Sequence, residues 1–479
     1  MRAAFIALTL GCSAIAVSVF ACGGDDSTNI LQPGKDGAAD TTNNTDAELP
    51  DNVAPDTSPP CTDTRCKKVA CTTGTTNLSG TVYDPAGKRT LYNVIVYIPN
   101  TTPDAITNGA TCDRCGKVSG DPIVSAVTDA NGNFTLKNVP VGTDIPLVIQ
   151  TGKWRRQVKV PNVSACVDNT VSPSLTRLPR KASEGDMPIV AIASSCDPIE
   201  CTLRKFGIDD SEFTVGSGTG HVRVYALNGS GMQKVGNVAT TPATGLWQTD
   251  LQKYDMLINS CECQPAADKG LATYAAVKTF LDNGGRVLGT HYEYDFFAAP
   301  HGPAEFQAAA EWTPGNAPQT NSPSFIDTSI PKGQAFSDWL VGNLGSKAGQ
   351  VSLDPQLVRQ DVGNVRLATT RYVRETAVAD GGGAESTKYL SFNTPTLDPD
   401  GGVDAGALSP AKQCGRAAFA DFHALNAGNN GGPTAFPDAC SNYPTSLGDE
   451  EYAFEFMFFE LGSCVQDETL APVPPMATP

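Results

Sequence analysis

The sequence predicts two folded parts in series, a β-sandwich followed by a doubly wound α/β domain. Three observations carry this. Between residues 76 and 175, short runs alternate polar and apolar residues, with turn signals roughly every ten residues. From Asp186 the alternation gives way to continuous apolar runs, MPIVAIASS (187–195) and YDMLINSCEC (254–263), as expected for strands covered on both faces. Helical spacing follows in KGLATYAAVKTFLDNGG (269–285), so strand and helix alternate as in a parallel sheet.

The chain begins with MRAAFIALTLGCSAIAVSVFAC, which has one positive charge at Arg2 and an apolar run to Ala21. Residues 1–21 read as a signal peptide. The closing VFAC resembles a bacterial lipobox. That resemblance implies cleavage before Cys22, a lipid on its sulfur, and anchoring at the outer membrane or cell surface of a bacterium. An ordinary cleavage near Ala21 is the alternative. Residues 22–75 form a lipidated tether with a cysteine-rich end. Its stretch 23–60 is too poor in apolar residues to offset its ordering entropy. No later apolar run is long enough to span a bilayer.

The formal net charge is −17, and removal of Arg2 with the signal makes it one unit more negative. That excludes nucleic acid as a partner, and binding to an anionic membrane face by charge. The chain has 15 cysteines, and after Cys12 and Cys22 are set aside an odd number remains. Export makes disulfides their expected state. Cys112 and Cys115, in CDRC, read as staples, with zinc ligation as the alternative. No metal and no cofactor are expected.

In the first part, NLSGTVYDPAGKRTLYNVIVYIP (77–99) reads as two strands about Pro-Ala-Gly. SAVTDANGNFTLKNVPVG (125–142) reads as a hairpin about Asn131-Gly132. IPLVIQTGKWRRQVKV (145–160) reads as another about Thr151-Gly152. Thr128, Asp129, Gly132, Phe134, Leu136, Pro140 and Gly142, with Gly80 and Pro85, resemble the carboxypeptidase regulatory-like (transthyretin-like) domain over 76–175. The resemblance implies an accessory module that binds carbohydrate or protein. Trp154 and Arg156, on one face of their strand, are candidates for a ligand patch or for an interdomain contact.

In the second part, 186–466, YDMLINSCEC, the helix and GGRVLGTH resemble the class I glutamine amidotransferase-like fold. The trehalose-utilisation branch is the nearest in pattern. CGRAAFADFHA (414–424) resembles its late strand ending in histidine, and EEYAFEFMFFELGSCV (450–465) its closing helix. The implied architecture is flavodoxin-like. SIPKGQAFSDWLVGNLG (329–345) reads as a helical insertion, 379–410 as a loop, and 467–479 as a flexible tail. The whole layout also resembles exported lipoproteins sometimes labelled tryptophan synthase alpha chain. The order of elements excludes the barrel which that label requires.

In such a sheet, ligands sit beyond the carboxyl ends of the strands near the switch in strand order. Those ends carry Ser194, Ser195 and Asp197; Ser260, Cys261 and Glu262; Thr290, His291 and Glu293; Asp421 and His423. The candidate catalytic residues are His291, His423, Glu262 and Glu293. The candidate binding residues there are Tyr292 and Asp421. An active amidotransferase keeps a cysteine on the turn after the fourth strand. Here that place reads Gly289-Thr290-His291-Tyr292-Glu293, so glutaminase chemistry is not expected. His291 can be a ligand or general base beside His423, a sugar or peptide contact, or a structural residue at a strand end. Cys261 can be a nucleophile beside His291, but a Cys201–Cys261 disulfide is the plainer expectation. DPDGGVDAG (398–406) resembles a calcium loop but lacks its glutamate, and reads as an acidic loop. The expectation for function is therefore a membrane-anchored, non-catalytic protein that binds carbohydrate or protein. The alternative is a hydrolase of sugar or peptide conjugates using a His291/His423 crevice.

Overall fold

The computed structural model describes residues 63–227, 231–262, 264, 268–315, 324–366, 368–375, 385–396, 410–425 and 435–476. The signal peptide, Cys22, most of the tether and the 398–406 loop lie outside the described residues, as do Cys61 and Cys263. The architecture is mixed and multi-sheet. Its first strands are β1 (Asn77–Thr81), β2 (Ile95–Pro99), β3 (Pro122–Val127), β4 (Asn133–Lys137), β5 (Gly142–Thr151), β6 (Trp154–Val163) and β7 (Asp168–Thr170). They form two sheets, ordered β4-β1-β7 and β3-β2-β5-β6. Leu78, Phe134 and Leu136 of one sheet share a buried core with Val96, Ile98, Leu147 and Ile149 of the other.

The Thr151-Gly152 hairpin forms as expected, with Thr151 opposite Trp154. The Asn131-Gly132 turn forms too, since Gly132 has φ 73° and its N–H donates to the Asp129 carbonyl at 2.9 Å. Its flanking strands, however, enter different sheets. The expected hairpin is a crossing between the two layers. The reason is the pairing of β4 with β1: the Phe134 ring lies over Gly80, where even a Cβ would stand 3.0 Å from it. The two strands about Pro-Ala-Gly part in the same way, β1 and β2 lying in separate sheets.

The second part contains β8 (Val190–Ser194), α1 (Ile199–Lys205), β9 (Phe213–Val215), β10 (Val222–Ala226), β11 (Met256–Asn259), α2 (Leu271–Asp282), β12 (Arg286–Thr290), β13 (Ser324–Ile326), α3 (Pro331–Leu344), β14 (Gln350–Val351), β15 (Thr369–Glu375), β16 (Ser386–Thr394), β17 (Gly415–Ala420) and α4 (Asp449–Gly462). One 11-stranded sheet runs β10-β8-β11-β12-β17-β16-β15-β13-β14, with Thr241–Pro242 and β9 against β10. From β10 to β17 neighbours are parallel; beyond β17 they are antiparallel. Successive strands move outward in opposite directions from β8, so the order switches between β8 and β11.

The antiparallel half corrects one expectation. Residues 386–394, read as part of a loop, are β16, buried along its whole length between β15 and β17. Its polar side chains concealed it, and several of them are partnered: Thr387 Oγ1 donates to the Gly363 carbonyl at 2.6 Å, and Arg416 Nε donates to Asn393 Oδ1 at 3.1 Å.

The two parts share one core through α4. Asp449, Glu450 and Glu451 in its first turn suit the positive helix end, and Glu451 accepts from the Gly448 N–H at 2.9 Å. The helix is apolar nearly all round, as befits a helix covered on every side. Phe456 stacks on Tyr92 at 5.9 Å, and Trp154 meets Phe458 and Phe459 at 6.4 and 6.0 Å. Four disulfides join Cys71–Cys166, Cys112–Cys414, Cys115–Cys464 and Cys201–Cys440. Cys66 and Cys196 are also disulfide-bonded. Among the described residues, no helix is long and apolar enough to cross a membrane.

Candidate functional site

The strand ends at the switch point bring three side chains together. Cys261 follows β11, His291 follows β12, and His423 follows β17. Cys261 is a buried thiol, and its Sγ lies 3.2 Å from His291 Nδ1. The imidazoles of His291 and His423 have centroids 4.1 Å apart at 65°. Cys261 is 0 % exposed, while His291 and His423 are 7 % and 8 % exposed. All three side chains are buried.

His291 has φ +50° at the junction of β12 with the helical turn His291–Phe296. A left-handed conformation is uncommon for a non-glycine residue and costs free energy. Gly289 permits it locally, because a Cβ there would stand 2.8 Å from Phe297 Cε2. The sharp turn expected to need a second glycine is therefore built without one. It presents an imidazole, and the thiol beside it comes from the neighbouring strand.

Asp197 fastens the site. Its carboxylate accepts from the N–H groups of Ala424 and Leu425, both at 2.9 Å, directly after His423. Thr290 Oγ1 lies 3.5 Å from Asp197 Oδ2 and accepts from the Cys261 N–H at 3.0 Å. The Asp197 carbonyl accepts from Ser260 Oγ at 2.5 Å. One residue thus ties the ends of β8, β11, β12 and β17. A second brace is Asp421, which accepts from the Asp361 N–H at 2.9 Å. Arg359 pairs with Asp361 at 2.6 Å and donates to Tyr292 Oη at 2.9 Å.

Burial sets the charges. It drives the His291 pKa far down, with His423, Arg359 and Lys388 adding to the effect. Burial and Arg359 lower His423 to about 4. Both rings are neutral at pH 7. Glu293 is pushed up to about 8 by burial, against the pull of Lys269. Glu262 and Glu293 reach Lys269 Nζ at 3.1 and 3.6 Å, yet neither pair has hydrogen-bond geometry. Glu262 is ion-paired with Lys269, whereas Glu293 keeps its proton at pH 7. Burial opposes the Lys269 charge, but the two glutamates outweigh it and raise its pKa.

These shifts fix a pH dependence. Burial raises Asp197, Glu200 and Asp421 to about 7 each, besides Glu293 at about 8. A raised folded pKa means that the native state keeps protons the unfolded chain gives up. The stability this contributes is full below the unfolded carboxyl pKa and is lost as pH rises through 7 to 8. The depressed histidines act only below about pH 6.5, where the unfolded imidazoles take up protons. From pH 6.5 to 8 the carboxyls decide the sign. The melting temperature should fall by several degrees across that window, and Glu293→Gln should flatten the fall. A Tm that rises or stays level in wild type would refute the assignment.

Several expected site residues are placed differently. Cys201 does not pair with Cys261; it is bonded to Cys440. The segment Asp438–Asn442 packs beside β9 through Phe436 on Phe213 at 4.3 Å, and this brings Cys440 onto α1. Cys112 and Cys115 are stapled, though not to each other: their partners, Cys414 and Cys464, lie across the interface of the two parts. Trp154 is 1 % exposed against α4, so it is core and not a ligand contact. Arg156 points to the carbonyls of Ser174 and Arg177 at 3.1 and 3.3 Å. Asp421 is fully buried and braces the site from behind. Tyr292 stands beside His291 at 4.7 Å between ring centroids. The residues that sequence reasoning left out are Lys269, Arg359 and Asp361. Nothing in their local pattern marks them, because each acquires its role from a strand or loop distant in sequence.

No family model matches this chain, and no curated protein is similar to it. Among solved structures it is similar to an N-terminal interface mutant of a type II cohesin–X-dockerin complex from Acetivibrio cellulolyticus. That pair is 21% identical over 30% of this chain and 78% of the other, with a TM-score of 0.15. It is also similar to a putative GMP synthase protein from Thermoplasma acidophilum, 9% identical over 58% of this chain and 94% of the other, with a TM-score of 0.28. BcpA, the major pilin of Bacillus cereus, matches at 17% identity over 22% of this chain and 30% of the other, with a TM-score of 0.14. Scores this low establish no shared fold and no shared activity.

Proposed function

We propose that this is a lipid-anchored exported protein whose α/β half is a thiol hydrolase of acylated sugar or peptide conjugates. Its sandwich serves as an accessory module of the carboxypeptidase regulatory-like type, and the α/β half is of the flavodoxin-like amidotransferase class. The observation that supports the reading is the 3.2 Å contact of Cys261 Sγ with His291 Nδ1, made by a residue held at φ +50° beside the strand-order switch. Backbone strain at a ligand-binding position is more readily explained by chemistry than by stability.

In this reading Cys261 Sγ attacks the acyl carbon, and its proton passes to His291 Nδ1. The acyl–heteroatom bond breaks, and the leaving group takes a proton from the imidazole pair. Water then cleaves the thioester, with the neutral imidazoles as base, and restores the thiol. Glu262, next to Cys261 in the chain, pairs with Lys269 at 3.1 Å, and this pair would orient a polar substrate. The four disulfide bridges, with Cys66 and Cys196 also bonded, suit the oxidising compartment that the reading requires.

Iodoacetamide alkylation of the folded full chain, located by mass spectrometry, tests it. Modification should fall on Cys261 and slow at least tenfold in His291→Ala. Hydrolysis of p-nitrophenyl acyl esters should vanish in Cys261→Ser. An inert Cys261, with equal ester hydrolysis in wild type and Cys261→Ser, would overturn the hydrolase and leave a binding role for the crevice.

A further inference from the structure

Beside the thiol lies a second sulfur with a different potential use. The Sγ atoms of Cys196 and Cys261 and a ring nitrogen of His423 all lie within 4.8 Å of one another. The three come from the ends of β8, β11 and β17. Their backbones are fixed relative to each other. The Cys196 N–H donates to the Cys261 carbonyl at 3.1 Å, and the His423 N–H donates to the Leu357 carbonyl at 2.9 Å. His423 Nε2 is buried and accepts or donates no hydrogen bond among the described residues. A buried imidazole nitrogen without a partner is rare, and it marks a position where a ligand can bind.

We propose that Cys196, Cys261 and His423 form a redox-gated zinc site, closed while Cys196 is in its disulfide and open once that bond is reduced. Two thiolates and one neutral imidazole are a donor set that zinc accepts. Their two negative charges cancel the charge of the ion, so a buried complex carries no net charge, which limits its desolvation cost. Ligand bonds of about 2.3 Å to sulfur and about 2.0 Å to nitrogen would place the donors roughly 3.5–4 Å apart. The donors already lie within 4.8 Å of one another, and the disulfide occupies the Cys196 sulfur that the ion would need. His291 Nδ1, 3.2 Å from Cys261 Sγ, is within reach as a fourth donor.

The chemistry balances with a dithiol as reductant. The dithiol gives two electrons and two protons to the Cys196 disulfide, yielding two thiols, and itself becomes a disulfide. Zinc then displaces the protons of Cys196 and Cys261 into water. The ion occupies the sulfur that would otherwise attack an acyl carbon, so the loaded form would be hydrolytically silent. The zinc site itself stands whether or not Cys261 turns over a substrate.

The test first maps by mass spectrometry the cysteine bonded to Cys196 and replaces it with serine. This leaves Cys196 a thiol and every other bridge intact. The full chain so altered should bind one zinc per chain by elemental analysis, and should give sulfur-to-cobalt charge-transfer absorption with Co(II). Oxidised wild type should bind none. Adding His423→Ala or Cys261→Ser should each abolish uptake. Should the serine variant fail to fold by circular dichroism, wild type is titrated with dithiothreitol until the Cys196 bond opens, with His423→Ala as control. Absence of zinc once Cys196 is shown to be a thiol in folded protein would overturn the proposal, and so would uptake that survives both His423→Ala and Cys261→Ser. Hydrolysis is assayed separately, on oxidised protein with a chelator, so failure of one reading is distinct from failure of the other.

Discussion

Asp197→Ala is expected to destabilise the protein by about 2–6 kcal/mol and to disorder the site. The substitution leaves the N–H groups of Ala424 and Leu425 buried without acceptors, and each such orphan costs about 1–3 kcal/mol. These two donors directly follow His423, so the imidazole loses its anchorage as well. Thr290, which holds the Cys261 N–H, loses a neighbour at 3.5 Å. Asp197→Asn should cost about half as much, since its amide oxygen can accept from one of the two N–H groups while its NH2 faces the other, which stays an orphan. Urea unfolding of the three proteins checks the stability order, and the rate of Cys261 alkylation checks the site. An alanine variant as stable as wild type would show that water replaces the carboxylate, and that the strand ends are not tied through it.

The second large effect is expected from the paired bridges Cys112–Cys414 and Cys115–Cys464, with sequence separations of 302 and 349. They staple the same loop of the sandwich to the same end of the α/β part. With either in place, the other closes a loop of only about fifty residues. Chain-entropy reasoning gives about 4 kcal/mol for losing one and about 10 kcal/mol for losing both. The double loss should therefore exceed twice the single loss. Serine pairs at each bridge, alone and combined, measured by denaturant melts, test this. Simple additivity would show that the core beneath α4 already holds the parts in register without the staples.

The parallel half of the sheet was legible because β8, β11 and β12 are short apolar runs that need no partner to be recognised. The antiparallel half was not. β16 carries Lys388, Asn393 and several hydroxyls, and only their partners on β17 and the loop at Arg359 explain why they are buried. In the site, His291 and His423 could be found, since a histidine after an apolar strand is conspicuous. Their proximity could not, because it depends on β17 lying beside β12 across more than a hundred residues. The Cys201–Cys261 bridge that adjacent strand ends suggest does not form for a related reason: a segment far along the chain delivers Cys440 to α1. Pairings of this kind depend on tertiary contacts that local pattern does not encode.

The helix α4 closes the core of a sandwich whose first strand begins more than 370 residues earlier. Both sheets of the sandwich are complete by Thr170, but the cover that α4 lays over Tyr92 and Trp154 waits for the last stretch of chain, and so do the two long staples. Contacts so distant in sequence make folding slow. A chain cut before α4 would still hold every strand of the sandwich, yet it would leave the Tyr92 and Trp154 rings without their aromatic cover and Cys115 without its partner.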